Sequence, residues 1–141
     1  MSTYLEHANM SVPDVDEAIH FLMTVAPEFK VRKDVSTEGE DPPRWVHIGT
    51  DESYIALQGV DPRHRPANQN KYVNFGVNHL ALVVPNLDEV VARLVSKGYQ
   101  PGVAGEDRPF RKRAYFFDRS GFEWELIEYR SDNPDERNTY D

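Results

Sequence analysis

The chain has 141 residues, one domain's worth, and that length buries roughly two thirds of the surface an unfolded chain exposes. A formal net charge of −8 argues against a nucleic-acid backbone or an anionic membrane as partner, because both need a basic face. Hydrophobic residues make up 39 %, no apolar run nears the roughly 20 residues of a membrane span, and there is no cysteine for disulfides or thiolate ligands. The start, Met-Ser-Thr-Tyr-Leu-Glu-His, lacks the basic and apolar regions of a secretion signal, so the expectation is a cytoplasmic protein.

Residues 4–12 alternate as a strand does, with Leu5, His7, Asn9 and Ser11 on one side and Glu6, Ala8, Met10 and Val12 on the other. The greasier side needs a helix to cover it. Asp14 can cap one, Glu17 follows at capping-box spacing, and Val15, Ala18, Ile19, Leu22 and Val25 recur at helical spacing until Pro27. A short strand is predicted over 29–35, then a loop at 36–43 where turn formers cluster, then a hairpin of 44–49 and 53–59. This first module, about 4–60, reads β-α-β-β-β. Residues 61–74, rich in Pro, Asn and charge, read as a connector.

The second module, about 75–130, restates the first. His7, Val12, Pro13, Asp16 and Glu17 recur as His79, Val84, Pro85, Asp88 and Glu89, all 72 positions later, and Asn86 stands where Asp14 does. Two copies are too few for a solenoid and point to a tandem duplication. A strand is predicted over 77–84 with His79 on the face equivalent to that of His7. A helix capped by Asn86 follows, carrying Leu87, Val90, Val91 and Leu94, with Gly98 at its left-handed C-terminal position. Strands are predicted at about 99–104, 111–118 and 122–130, and residues 131–141 as a polar, loose tail.

In Gly121-Phe-Glu-Trp-Glu-Leu-Ile-Glu128 the strand period puts Glu123 and Glu125 on one face. If the first and last strands of a module are neighbours, Glu125 meets His79, and the pseudo-two-fold brings His7 to the equivalent place. Two imidazoles and one carboxylate on one side of a divalent ion leave positions open for water, oxygen or substrate.

These stretches, Leu5-Glu-His-Ala-Asn-Met-Ser-Val12, Val77-Asn-His-Leu-Ala-Leu-Val-Val84 and Tyr115-Phe-Phe-Asp-Arg-Ser-Gly-Phe-Glu-Trp-Glu-Leu126, resemble the vicinal oxygen chelate superfamily over roughly residues 4–130. That group includes glyoxalase I, extradiol dioxygenases, fosfomycin-resistance thiol transferases and bleomycin-resistance proteins. The resemblance implies an α+β fold, a single domain of two tandem βαβββ modules forming a cupped, barrel-like mixed sheet with helices outside. It places metal ligands at His7, His79 and Glu125, with Fe2+ or Mn2+ favoured and Ni2+ or Zn2+ also suited. It implies a small-molecule substrate and a homodimer, with a metal site either within one chain or shared between two.

The fourth ligand of glyoxalase I falls on Ala56, which cannot bind metal, and Gln58 lies about 7 Å further along the strand. The three-ligand set matches the dioxygenase and fosfomycin branches, with the balance leaning to dioxygenase-like chemistry. Tyr115 falls where both branches carry a tyrosine and is the candidate catalytic residue; Asn9 and Arg113 are candidate substrate contacts. His47 is the nearest residue to a catalytic base. Glu123 reads as a second support or a rim residue, and His20 and His64 receive no role. The competing expectation is a metal-free binding protein of the bleomycin-resistance kind.

Overall fold

The computed structural model describes residues 2–63 and 72–140. His64 and most of the predicted connector lie outside the described residues. The chain forms two compact units, residues 1–67 and 68–141.

The first unit runs β1 (His7–Val12), α1 (Val15–Val25), β2 (Lys30–Ser36), β3 (Arg44–Gly49) and β4 (Tyr54–Gly59). Its open sheet has the order β1-β4-β3-β2, with β1 parallel to β4 and the other neighbours antiparallel. Asp14 caps α1 by accepting from the Glu17 amide at 3.0 Å, as its spacing predicts. Phe21, Leu22 and Val25 then bury against Val46, Ile48, Ile55 and Leu57 of the sheet, so the apolar face of each strand turns to the helix. The opposite face keeps the polar residues. β1 starts at His7 and not at residue 4, because its partner β4 begins only at Tyr54.

The second unit repeats the plan with β5 (His79–Val83), α2 (Leu87–Ser96), β6 (Gln100–Pro101), β7 (Asp107–Arg108), β8 (Arg111–Phe117), β9 (Glu123–Tyr129) and α3 (Pro134–Arg137). The sheet order is β5-β9-β8-β6, with β7 also pairing β8 and β5 parallel to β9. Asn86 caps α2 through the Glu89 amide, and the Glu128 carboxylate accepts from the Leu87 amide at 2.7 Å, which binds the helix start to β9. Leu87, Val90 and Leu94 pack on Phe116, Trp124 and Leu126, all nearly inaccessible. Gly98, at φ 80°, takes the left-handed position that ends the helix.

Two expectations are corrected. The strand predicted over 99–104 shrinks to Gln100–Pro101, and a second short strand, β7, follows it. The terminal segment is not loose: α3 is capped by Asn133, Arg137 stacks over Tyr129 at 4.2 Å, and Arg111 donates to the Thr139 carbonyl. A cation on an aromatic face leaves no periodic hydrophobic signal, so polarity alone misreads this stretch.

Candidate metal centre

The parallel pairing of β5 with β9 sets His79 opposite Glu123, and Ala81 opposite Glu125. Antiparallel β8 adds Tyr115 opposite Glu125. One face of this sheet therefore carries His79, Glu123, Glu125 and Tyr115, while Trp124 and Leu126 between them are buried against α2. The small Ala81 beside Glu125 leaves room for the imidazole to lean across. His79 Nε2 stands 2.9 Å from Glu125 Oε2.

The other imidazole nitrogen is held separately. Tyr72 Oη lies 3.0 Å from His79 Nδ1 and donates to Glu123 Oε1 at 2.6 Å. Glu123 and Glu125 are among the few buried carboxylates, 5 % and 7 % exposed, so each has its charge met locally. The hydrogen bond to Glu123, together with burial, pushes the Tyr72 phenol up to about 12. Sequence patterning places Tyr72 in the connector and misses it; an aromatic seven positions before the histidine is the only signal.

Glu125 divides its two oxygens. Oε2 faces His79, and Oε1 lies 3.4 Å from Arg113 Nε, a charge contact in which that buried Nε makes no hydrogen bond. The same guanidinium reaches Glu106, another residue the sequence did not single out, at 3.3 Å. The Tyr115 ring stands nearly perpendicular to that of His79, centroids 5.8 Å apart. Burial, then the Glu125 charge, hold its phenol above the ordinary value against the opposing pull of Arg113. His79, Glu125, Tyr115 and Arg113 are thus brought together within the second unit.

His7 and Asn9 belong to the first unit, on the polar face of β1. His7 pairs with Tyr54 and stacks flat on it at 4.7 Å, while Nδ1 meets Glu6 Oε1 at 3.1 Å. Asn9, Ala56 and His47 form the next row across β1, β4 and β3. Ala56 holds the position on β4 that Glu125 holds on β9, so the carboxylate of one module is replaced by a buried methyl in the other. The register also settles the face of His47, which is that of His7 and Asn9.

Burial first, then the Arg32 and His7 charges, hold the His47 imidazole below its ordinary value. Because the folded value is the lower one, the unfolded state binds more protons; the contribution to stability is complete above about pH 6.5 and is lost as pH falls through the folded value. An NMR titration of the His47 ring is expected to show a midpoint below that of a model histidine; a midpoint at or above it would contradict the burial argument.

Two donors of the second unit, His79 Nε2 and Glu125 Oε2, are of the kinds that ligate a divalent ion. Two ligands at right angles, each about 2.1 Å from a first-row metal, stand about 3 Å apart. The His79–Glu125 separation matches that spacing. Among the described residues, no three or more His, Asp or Glu side chains are grouped so as to hold a metal ion. Glu123 turns toward the Nδ1 side of His79 and so adds no third donor beside Nε2.

Residues 4–126 match the Glyoxalase/Bleomycin resistance protein/Dioxygenase superfamily. The chain belongs to this superfamily. Among solved structures, this superfamily member is similar to a glyoxalase family protein from Bacillus cereus, with 18 % identity, 93 % of this chain and 97 % of that one covered, and TM-score 0.73. It is also similar to the fosfomycin resistance protein FosX from Listeria monocytogenes, with 18 % identity, coverage of 97 % and 99 %, and TM-score 0.67. A variant of that FosX complexed with Mn(II) and 1S,2S-dihydroxypropylphosphonic acid aligns at 17 % identity over 89 % of this chain and 92 % of that one, TM-score 0.66. A search of curated protein sequences finds no match. Among the described residues, no helix is long and apolar enough to cross a membrane.

Proposed function

We propose that this superfamily member is a metal-dependent enzyme that chelates a small oxygen-bearing substrate on a divalent ion held by His7, His79 and Glu125, with dioxygenase-like chemistry. The 2.9 Å approach of His79 Nε2 to Glu125 Oε2, a nitrogen and a carboxylate oxygen side by side, carries the reading. His7 supplies the third donor, from the same chain or from the partner in a homodimer. Its Nδ1 is engaged by Glu6, as the Nδ1 of His79 is by Tyr72, which leaves Nε2 of each ring to ligate. Fe2+ or Mn2+ suits this nitrogen and carboxylate set best, and Ni2+ or Zn2+ also fits.

A bound ion supplies Lewis acidity, drawing charge onto two substrate oxygens. The protein's own groups do the rest. Tyr115, kept protonated by burial and the Glu125 charge, donates a hydrogen bond to a substrate oxygen. The Arg113 guanidinium supplies positive charge for an anionic group, and Asn9 contacts a polar one. Ala56 argues against a four-ligand glyoxalase site.

A second reading, fosfomycin-type opening of an epoxide, is favoured by the Arg113 guanidinium, which puts positive charge beside Glu125 for a phosphonate. The FosX complex holds a dihydroxy phosphonate with Mn(II). The test is oxygen uptake by the iron- or manganese-loaded protein over a panel of catechols, beside phosphorus NMR of an epoxyphosphonate with water or a thiol. Oxygen uptake that His79→Ala abolishes is the expected result. Epoxide opening without oxygen uptake moves the assignment to the second reading. Ligand binding that survives Glu125→Gln, with neither reaction, would overturn both in favour of a metal-free binding protein.

A further inference from the structure

We propose that Tyr72 and Glu123 are positioning residues for His79: the phenol and the carboxylate form a chain that fixes the ring and keeps a proton on Nδ1, so that Nε2, which shares a proton with Glu125 in the metal-free protein, is the nitrogen that ligates once a metal displaces that proton. The inference deepens the metal-centre reading and rests on it.

Three observations on different parts of the chain carry it. The first is the direction of the hydrogen bonds. A phenol has one proton, and at 2.6 Å from a buried carboxylate that proton belongs to the bond with Glu123 Oε1. The phenol oxygen then meets His79 Nδ1, 3.0 Å away, as an acceptor, so Nδ1 carries the hydrogen. Which imidazole nitrogen binds metal is set by the bond the other one makes.

The second is the burial of Glu123. It is 5 % exposed on the strand that carries Glu125, two residues away, yet its carboxylate turns to Tyr72 and to the Nδ1 side of the ring, 3.7 Å off. A buried carboxylate with no role there would cost stability relative to an apolar side chain. The third is the backbone of Tyr72. Its φ of 64° lies in the left-handed region, which an aromatic residue adopts only at a cost. The strain is held by a bond from the Tyr72 amide to the Asn78 side chain at 2.7 Å, next to His79 itself. The Asn78 side chain thus holds the turn that delivers the phenol.

The test joins metal affinity with a direct look at the ring proton. Zinc, as a diamagnetic probe, is titrated into wild type, Tyr72→Phe, Glu123→Gln and the double variant, and long-range proton–nitrogen NMR reports the His79 ring in metal-free and zinc-loaded protein. Each single change is expected to weaken zinc about 10–100-fold. The double variant should lose little more than Tyr72→Phe alone, because Glu123 acts through the phenol. In both forms of wild type Nδ1 is expected to carry a proton whose resonance moves in Tyr72→Phe. A bare Nδ1 in wild type, a resonance that Tyr72→Phe leaves in place, or strictly additive losses would overturn the proposal. If wild type takes up no zinc, iron or manganese, the metal reading fails, and the Nδ1 proton in the metal-free protein still decides this one.

Discussion

Glu125→Gln is expected to weaken divalent-metal binding about 100–1000-fold while the protein stays folded. The magnitude follows from a total binding free energy of about 10–16 kcal/mol shared among a few ligands, or roughly 3–4 kcal/mol for each. The amide keeps the shape of the carboxylate but not its charge. Its oxygen can still face His79 or Arg113, so the packing under the strand is preserved. Calorimetric titration with Mn2+ or Zn2+ reads the affinity, and circular dichroism reads the fold. An unchanged affinity would remove Glu125 from the ligand set.

Trp124→Ala carries the largest expected effect on stability. Trp124 is among the largest fully buried side chains, packed beneath α2, and its indole donates to Asp118 Oδ2 at 3.1 Å. Truncation removes that bond and opens a cavity in the second unit's core, for about 3–5 kcal/mol. For a chain of this length the melting temperature should fall by about 10–20 °C. Trp124→Phe should cost much less, since it keeps most of the volume. Because Trp124 lies between Glu123 and Glu125, the alanine variant should also weaken metal binding, through misplacement of β9. Thermal unfolding of both variants checks this; a shift of only a few degrees for alanine would mean the core collapses around the gap.

Much of this was legible in the chain because both modules announce their faces by alternation. His7 and Asn9 on one side of β1, and Glu123 and Glu125 on one side of β9, follow from the two-residue period alone. So do the helix starts at Asp14 and Asn86, whose side chains cap as their spacing predicts. Register was not legible. That His79 stands opposite Glu123 and reaches diagonally to Glu125 depends on where the parallel pairing begins, and nothing local to either strand sets that. Nor could periodicity find Tyr72, which leaves a turn before β5, or Glu106, which precedes the two-residue strand β7. Side chains delivered by turns and short strands carry no repeat to read.

The proposed function requires that His7, His79 and Glu125 together hold one divalent ion. Metal analysis of protein purified without a chelating column, beside His7→Ala and His79→Ala, tests it most directly. About one equivalent of iron, manganese, nickel or zinc per chain is expected in wild type, and none in either variant. Retention of the metal in His7→Ala would rule out the three-ligand site, and a wild-type protein that holds no metal even after reconstitution would rule out a metal-dependent enzyme.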